Sequence, residues 1–418
     1  MQFLLTKKIK ISCNNSNYNL SKSYVRLKIV ELRPNKKVLL SKLAIVDSTL
    51  REGEQFYKSN FSVGDKVEIA RGLDEFGVEY IEVTSPTASP QSYQDCKNLA
   101  QLGLQAKVVT HIRCHLEDAK IALDTNVDGI NLFIGTSQLL RQFSHGKSID
   151  QIIDIATEVI TFIHQQSPQT ELRFSTEDSF RSSLSDLLRV YLAINKLGIV
   201  NRFGVADTVG IATPHQVYQL IQKIRQCFSE DIEFHGHNDT GCAIANSFSA
   251  FEAGATHIDT SVLGIGERNG ITPLAGLIAR LHTLDPVGLS RKYSLPNLQK
   301  LNQLVADKIG LSIPFDHCIV GEAAFNHKAG VHTKAIINNS RTYEAIDPTD
   351  FDLNRSVLIN HKLTGKNSIA HRALQLGINF DNSQMQAITQ TIKTLADREK
   401  LTPKNVDDIL YSYKKNIG

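Results

Sequence analysis

The 418-residue sequence is 41% hydrophobic and 21% charged, which excludes a wholly disordered chain and suggests one large domain plus a smaller one. Its net charge of +3 is unevenly placed: residues 1–42 hold ten Lys or Arg against the single acid Glu31, and the remainder is net −6, so the body of the protein lacks the basic character of a nucleic-acid binder. No apolar run approaches the ~18–20 residues of a membrane span, and six scattered cysteines with no Cys-x-x-Cys pair argue against a zinc ribbon or disulfide framework and fit a reducing compartment.

The extension 1–42 reads either as an organelle-targeting segment or as a basic arm. Targeting segments are usually richer in arginine, and here Arg26 and Arg33 are the only two. The expected location is the cytoplasm, or a plastid or mitochondrion if the extension is an address. From Leu43 onward short β-like runs alternate with longer amphipathic stretches. The expected strands are Leu43–Leu50, Glu79–Ser85, Ala106–Arg113, Gly129–Gly135, Glu171–Asp178, Arg202–Thr208, Asp231–Asp239 and His257–Gly264, each rich in β-branched or aromatic residues. Between them lie helical patterns such as Asp65–Phe76 and Asp150–His164.

Eight such units over roughly 240 residues match a (β/α)8 TIM barrel. The competitor is a doubly wound open sheet, which would want a glycine-rich turn after its first strand. Here that strand runs into Asp47-Ser48-Thr49-Leu50-Arg51-Glu52-Gly53-Glu54-Gln55, polar and charged instead. The barrel is thus expected over residues 43–285. After Asp285-Pro286 the rhythm breaks, and 286–418 reads as a smaller, mainly helical region with patterns at Leu298–Ile309 and Gln384–Lys400 around the irregular Phe325–Thr333.

Active sites of such barrels are built from the C-terminal ends of the strands, and unusual polar residues fall there. The first strand delivers Asp47, Arg51, Glu52 and Gln55, the third His111 and Arg113, and the fifth Arg173, Ser175 and Glu177. The sixth ends in Asp207 and Thr208, the seventh in Glu233, His235, His237 and Asp239. The eighth runs into Gly264-Ile265-Gly266-Glu267-Arg268-Asn269-Gly270. On a strand, residues i and i+2 share a face, so His235 and His237 converge; an isolated pair of this kind also suits a hydrogen-bonded turn. Two neutral imidazoles with a carboxylate, from Glu52 or Asp47, would bind a divalent metal and leave positions open for substrate oxygens. Such a metal polarises the keto group of a 2-oxo acid, with Arg51 placed for developing negative charge and Arg173 for a substrate carboxylate. By themselves these residues reach metal-assisted carbonyl chemistry on a carboxylate substrate. An Fe(II) oxygenase would use the same ligand types, but the strand–helix rhythm argues against it. A barrel kept only as a binding scaffold is the non-enzyme alternative.

In combination, Asp47–Phe56, Arg173–Asp178, Gly204–Pro214, Glu233–Asn246 and Ala255–Pro273 resemble the homocitrate synthases, acyl-CoA-condensing (β/α)8 metal enzymes related to the 2-isopropylmalate synthases. Asp259-Thr260-Ser261-Val262-Leu263 and Glu52, where isopropylmalate synthases usually carry Asp, favour the former. The resemblance implies an acyltransferase that condenses acetyl-CoA with 2-oxoglutarate to homocitrate and CoA, as in lysine biosynthesis; a synthase for another 2-oxo acid is the runner-up. It implies Glu52, His235 and His237 as metal ligands, with Zn, Mn, Co or Fe suiting them better than Mg. It places Arg51 and Gln55 at the reacting oxygens, and His111, Arg173, Ser175 and Thr208 at the distal carboxylate. Glu177, His332 and Tyr343 would serve proton transfer, the last two from the partner of a homodimer. Gly264, Gly266, Glu267 and Asn269 would lie near acetyl-CoA. Lysine-inhibited members carry an Asp where this chain has Asn131, so weak or absent inhibition by lysine is expected.

Overall fold

The computed structural model describes residues 40–415; the basic extension up to residue 39, with its targeting reading, lies outside the described residues. Eight parallel strands close into a barrel in chain order: β1 (Ala44–Asp47), β2 (Tyr80–Val83), β3 (Lys107–Arg113), β4 (Gly129–Gly135), β5 (Glu171–Glu177), β6 (Arg202–Asp207), β7 (Asp231–Gly236) and β8 (His257–Thr260). Pairing of Ile45 with Ile258 and of Asp47 with Thr260 joins the last strand to the first. The helices that follow the strands are α1 (Val63–Phe76), α2 (Pro90–Ala100), α3 (Leu116–Asp124), α4 (Ile149–Gln166), α5 (Leu184–Asn195), α6 (Pro214–Arg225), α7 (Ala243–Ala253) and α8 (Leu274–His282). The expected (β/α)8 barrel is present.

Period-two alternation along the strands explains both faces of the wall. Ile45, Ile81, Ile130, Leu172, Phe174, Phe203, Ile232, Phe234 and Ile258 are buried in the apolar layer shared with the helices. Their neighbours Glu82, Asn131, Arg173, Arg202, Glu233, His235, His257 and Asp259 are buried as well, yet polar. A barrel lumen is usually filled by branched apolar side chains; here charge and imidazole fill much of it. The helix starts are locally encoded. Ser62 accepts from Asp65 N–H while Asp65 accepts from Ser62 N–H, and Ser148 with Gln151 and Thr213 with Gln216 repeat the reciprocal cap at α4 and α6.

Three strands end three or four residues earlier than expected. β1 stops at Asp47, and Ser48 to Gln55 turn back over the mouth, ending in the 3-10 turn Gly53–Gln55. β8 stops at Thr260, because Leu263 and Gly264 adopt left-handed backbone (φ 61° and 72°) that no strand accommodates. β7 stops at Gly236, so His237 lies just beyond the strand. It is held by an antiparallel bridge to Ile271 and by its N–H to Asp207 O at 3.1 Å.

The break in rhythm at Pro286 ends the strand–helix repeat but not the barrel's core. α9 (Pro286–Lys292) and α10 (Asn297–Lys308) bring Leu289, Leu298, Leu301 and Val305 into that core, and Tyr293 stacks on Phe76 with centroids 5.5 Å apart. Further on, β9 (Asn326–His327) pairs with β10 (Ser356–Val357), and α11 (Gly330–Asn338) lies between them in sequence. A second apolar core joins α12 (Lys366–Gln375), α13 (Asn382–Ala396) and α14 (Pro403–Lys415) through Ile369, Met385, Ile388, Ile392, Val406 and Leu410. Among the described residues no helix is long and apolar enough to cross a membrane.

Candidate active site

Glu52, His235 and His237 converge over the mouth, each offering one ligand atom within 4.8 Å of the others. They are buried, and they form the only such cluster of His, Cys, Asp and Glu among the described residues. His235 Nδ1 donates to Asp259 Oδ2 at 2.8 Å, which fixes the tautomer and leaves Nε2 as the lone-pair donor. Burial lowers both histidines to about 4, with Arg51 and Arg173 adding at His235 and the His235 ring, Arg268 and Arg51 adding at His237, so at neutral pH both are uncharged. Burial alone would raise Glu52, but Arg51, both imidazoles and the Glu267 N–H outweigh it and bring the carboxyl down to about 2. That N–H reaches Glu52 Oε1 at 2.8 Å. Gly266 supplies the space: a Cβ there would meet Glu52 Cγ at 2.8 Å. The donor set, its protonation and its cradle fit a divalent cation. Asp47, the other candidate carboxylate, is engaged elsewhere, accepting from Thr49 N–H and Thr260 Oγ1, each at 3.0 Å.

Arg51 is held from two sides. Its Nε donates to Glu82 Oε2 at 2.6 Å and its Nη1 to Glu52 Oε2. Burial opposes its charge, but Glu82, Glu52 and Asp259 keep it protonated. Glu82 also accepts from Ser48 Oγ at 2.8 Å and Asn131 Nδ2 at 2.6 Å, and lies 3.7 Å from His111 Nδ1. His111 Nε2 is buried without a hydrogen-bond partner among the described residues, and burial together with Arg51 keeps the ring neutral. Arg173 Nη2 lies 2.6 Å from Glu233 Oε1, and Arg202 Nε lies 2.7 Å from Glu233 Oε2. Burial raises the Glu233 carboxyl while the two guanidinium groups oppose it. Ser175 is buried two residues along β5 from Arg173, on the same face, and Thr208 Oγ1 accepts from Asp178 N–H at 2.8 Å at the end of β6.

Glu177 ends β5. Burial pushes its carboxyl up to about 7, Asp178 adds to the shift and Arg51 opposes it. A carboxyl that exchanges its proton near neutral pH suits acid–base work. Gly264 is buried beside Pro273, whereas Glu267 and Asn269 are exposed on the rim. Gln55 is exposed, and its side chain has no hydrogen-bond partner among the described residues. His332 and Tyr343 are brought together, ring centroids 4.3 Å apart, but both are exposed. Among the described residues neither makes a hydrogen bond, ion pair or ring contact with the barrel.

Sequence reasoning missed Glu82, Arg202 and the part played by Asp259. Glu82 had a signal: a lone charge between Ile81 and Val83 in a strand with apolar neighbours on both sides points into the lumen. The same holds for Arg202 beside Phe203.

Residues 42–305 match the HMGL-like family, and 319–400 match the homocitrate synthase post-HMGL domain-like family. The chain is 53% identical over 388 residues to a mitochondrial homocitrate synthase of Schizosaccharomyces pombe, covering 92% of each. To the cytosolic homocitrate synthase isozyme of Saccharomyces cerevisiae it is 52% identical over 374 residues, covering 90% of this chain and 87% of the relative. Hydroxymethylglutaryl-CoA lyase from Pseudomonas aeruginosa shares the fold at a TM-score of 0.57 and 20% identity, over 71% of this chain and 97% of that one. With both of its family segments matched and such identity along nearly its whole length, the chain belongs to the homocitrate synthase branch of the HMGL-like family.

Proposed function

We propose that this chain condenses acetyl-CoA with 2-oxoglutarate to give homocitrate and free CoA. The observation that carries the reading is the convergence of Glu52, His235 and His237 beside two arginines, the partly buried Arg51 and the buried Arg173. A divalent cation held by those three side chains would supply Lewis-acid polarisation of a keto group; Zn, Mn, Co or Fe suit the mixed donors better than Mg. Arg51, fixed by Glu82 and Glu52, stabilises negative charge on the keto oxygen as the new bond forms. Arg173, His111, Ser175 and Thr208 receive the distal carboxylate, a polar lining that a branched apolar acid would leave unpaired.

Proton transfer falls to Glu177, with its carboxyl near 7. A proton leaves the acetyl methyl group, that carbon bonds to the keto carbon, and the keto oxygen ends as a hydroxyl. Water then cleaves the thioester and CoA departs as the thiol. His332 and Tyr343 lie exposed in the single chain, which supports a homodimer in which they complete the partner's site. Glu267 and Asn269, exposed on the rim, are placed for acetyl-CoA, and Gln55 for the reacting oxygens. Relatives named as mitochondrial and as cytosolic are both close, so either location fits the chemistry.

The test is CoA release by the metal-loaded protein with 2-oxoglutarate against 2-oxoisovalerate. Turnover at least tenfold faster with 2-oxoglutarate is expected, on the order of what unpaired buried polar groups impose. Faster turnover with the branched acid would sink the reading.

A further inference from the structure

Below the mouth runs a string of buried charge that the reaction as described does not use. Arg202 is 1% exposed, the largest fully buried side chain among the described residues. Its Nε lies 2.7 Å from Glu233 Oε2 and its Nη1 2.6 Å from Glu171 Oε1, and Glu171 in turn meets the exposed Lys107 at 2.8 Å. Replacing a buried Arg–Glu–Arg cluster with apolar residues often costs no stability. The string is therefore a poor stabilising device and wants another explanation.

Its geometry leads to Arg173. Strand register sets Arg173 of β5 beside Arg202 of β6, and Gly204 of β6 beside Glu233 of β7. The Arg173 side chain crosses β6 to bring Nη2 within 2.6 Å of Glu233 Oε1, two strands away. It crosses at Gly204, where a Cβ would stand 2.6 Å from Nε and 2.7 Å from Cζ and Nη2. Contacts that close are not tolerated, so the missing side chain is the gap through which the guanidinium passes.

We propose that Arg202 and Gly204 are positioning residues that aim Arg173 and keep its charge available to the distal carboxylate, so that β6 sets the preference for a dicarboxylic 2-oxo acid. This rests on the role given to Arg173 above. Glu233 alone would hold the Arg173 guanidinium and compete with the substrate for it. Arg202, at the second oxygen of Glu233, leaves the Arg–Glu–Arg cluster with surplus positive charge. Arg173 Nε, moreover, has no hydrogen-bond partner among the described residues. A Cβ at position 204 would project from the wall toward the barrel axis and push the guanidinium into the space the substrate needs.

The experiment is steady-state kinetics with both substrates varied, on the metal-loaded full chain and on Arg173→Met, Arg202→Met, Arg202→Lys, Gly204→Ala and the double variant Arg202→Met/Glu233→Gln. Arg202→Met should raise the KM for 2-oxoglutarate ~10–100-fold, the scale of one charge-assisted contact, and leave the KM for acetyl-CoA and the metal content as they were. Arg202→Lys should recover part of the loss. The double variant should recover most of it, because no Glu233 carboxyl left without its Arg202 contact then holds Arg173 back from the substrate; a merely structural role for Arg202 would give no such rescue. Gly204→Ala should weaken 2-oxoglutarate and shift the preference toward oxaloacetate, one methylene shorter. If Arg202→Met does not fold, Arg202→Lys and Gly204→Ala carry the same test. Should Arg173→Met leave the KM for 2-oxoglutarate unchanged, the reading of Arg173 falls and this inference with it. Should Arg173→Met raise it while the β6 variants do not, or should the double variant show no rescue, only the inference falls.

Discussion

Inside the barrel, charge is buried and cross-linked, while in the helices from Lys366 onward it stays at the surface over a hydrocarbon interior. In the lumen, Glu82, Arg173, Arg202, Glu233 and Asp259 are each no more than 2% exposed. The later helices pack Ile369, Ile388, Ile392, Val406 and Leu410 together and keep an ion pair such as Arg372–Asp407, 2.7 Å, on the rim of that core. The second arrangement stabilises itself, at about 25 cal/mol per Å² of apolar surface removed from water. The first does not, since desolvating each ion costs several kcal/mol before pairing returns any of it. A lumen built this way is held by the apolar layer outside it. Its polar interior is what chemistry requires, with dipoles and charges fixed before the substrate arrives.

The largest effect should come from breaking the mouth at its centre. His235→Ala removes a ligand and should abolish turnover, with metal affinity falling by more than the ~10–100-fold typical of losing an outer partner. Asp259→Asn keeps the ligand but loses the carboxylate that orients it, and should cost about that ~10–100-fold. Metal titration of both variants checks the order; near-normal turnover in His235→Ala would count heavily against the metal site. A smaller effect is expected at Glu177. Its carboxyl is raised to about 7, so the basic form is lost as pH falls through that value. kcat/KM should therefore drop about tenfold per unit on the acid side. Glu177→Gln should slow the reaction ~10²–10⁴-fold and remove that acid limb. A pH profile left unchanged in the variant would assign the limb to another group.

Much of the mouth was legible because strand periodicity is local. Leu172-Arg173-Phe174-Ser175 alternates visibly, and the polar residues clustered at strand ends named most of the site, including all three metal candidates. What the sequence hid depends on register across strands. Glu82 matters because β2 sets it where Ser48, Arg51 and Asn131 all reach it, and nothing near Glu82 in sequence announces those partners. Gly266 read as part of a turn for acetyl-CoA, yet its own position is against Glu52, 214 residues earlier in the numbering. His237 was placed on a strand that ends one residue before it, so its convergence with His235 rests on the bridge to Ile271 as well as on strand geometry. The core boundary was hidden for a similar reason: α10 looks like any amphipathic helix until its apolar face meets α1.

The smallest effect at the mouth should follow from a blow to the later helices. Ile388 is fully buried in their core, and Ile388→Ala should destabilise that region by ~2–5 kcal/mol. His332 lies on α11, which is tied to α12 by the 2.5 Å contact of Thr333 Oγ1 with Ser368 Oγ. Gly330 approaches closely at the same place, where a Cβ would stand 3.0 Å from Leu363 O. Loosening the later core should therefore disturb the presentation of His332 and Tyr343 without touching Glu52, His235 or His237. Hydrogen exchange should rise across 359–410 while the barrel strands stay protected. Turnover should fall, and metal affinity should stay within about twofold of the parent, since an independent core transmits little of its loss to distant sites. Equal losses of metal binding and turnover would mean that the two regions unfold as one, and the contrast between them would then lie in composition alone.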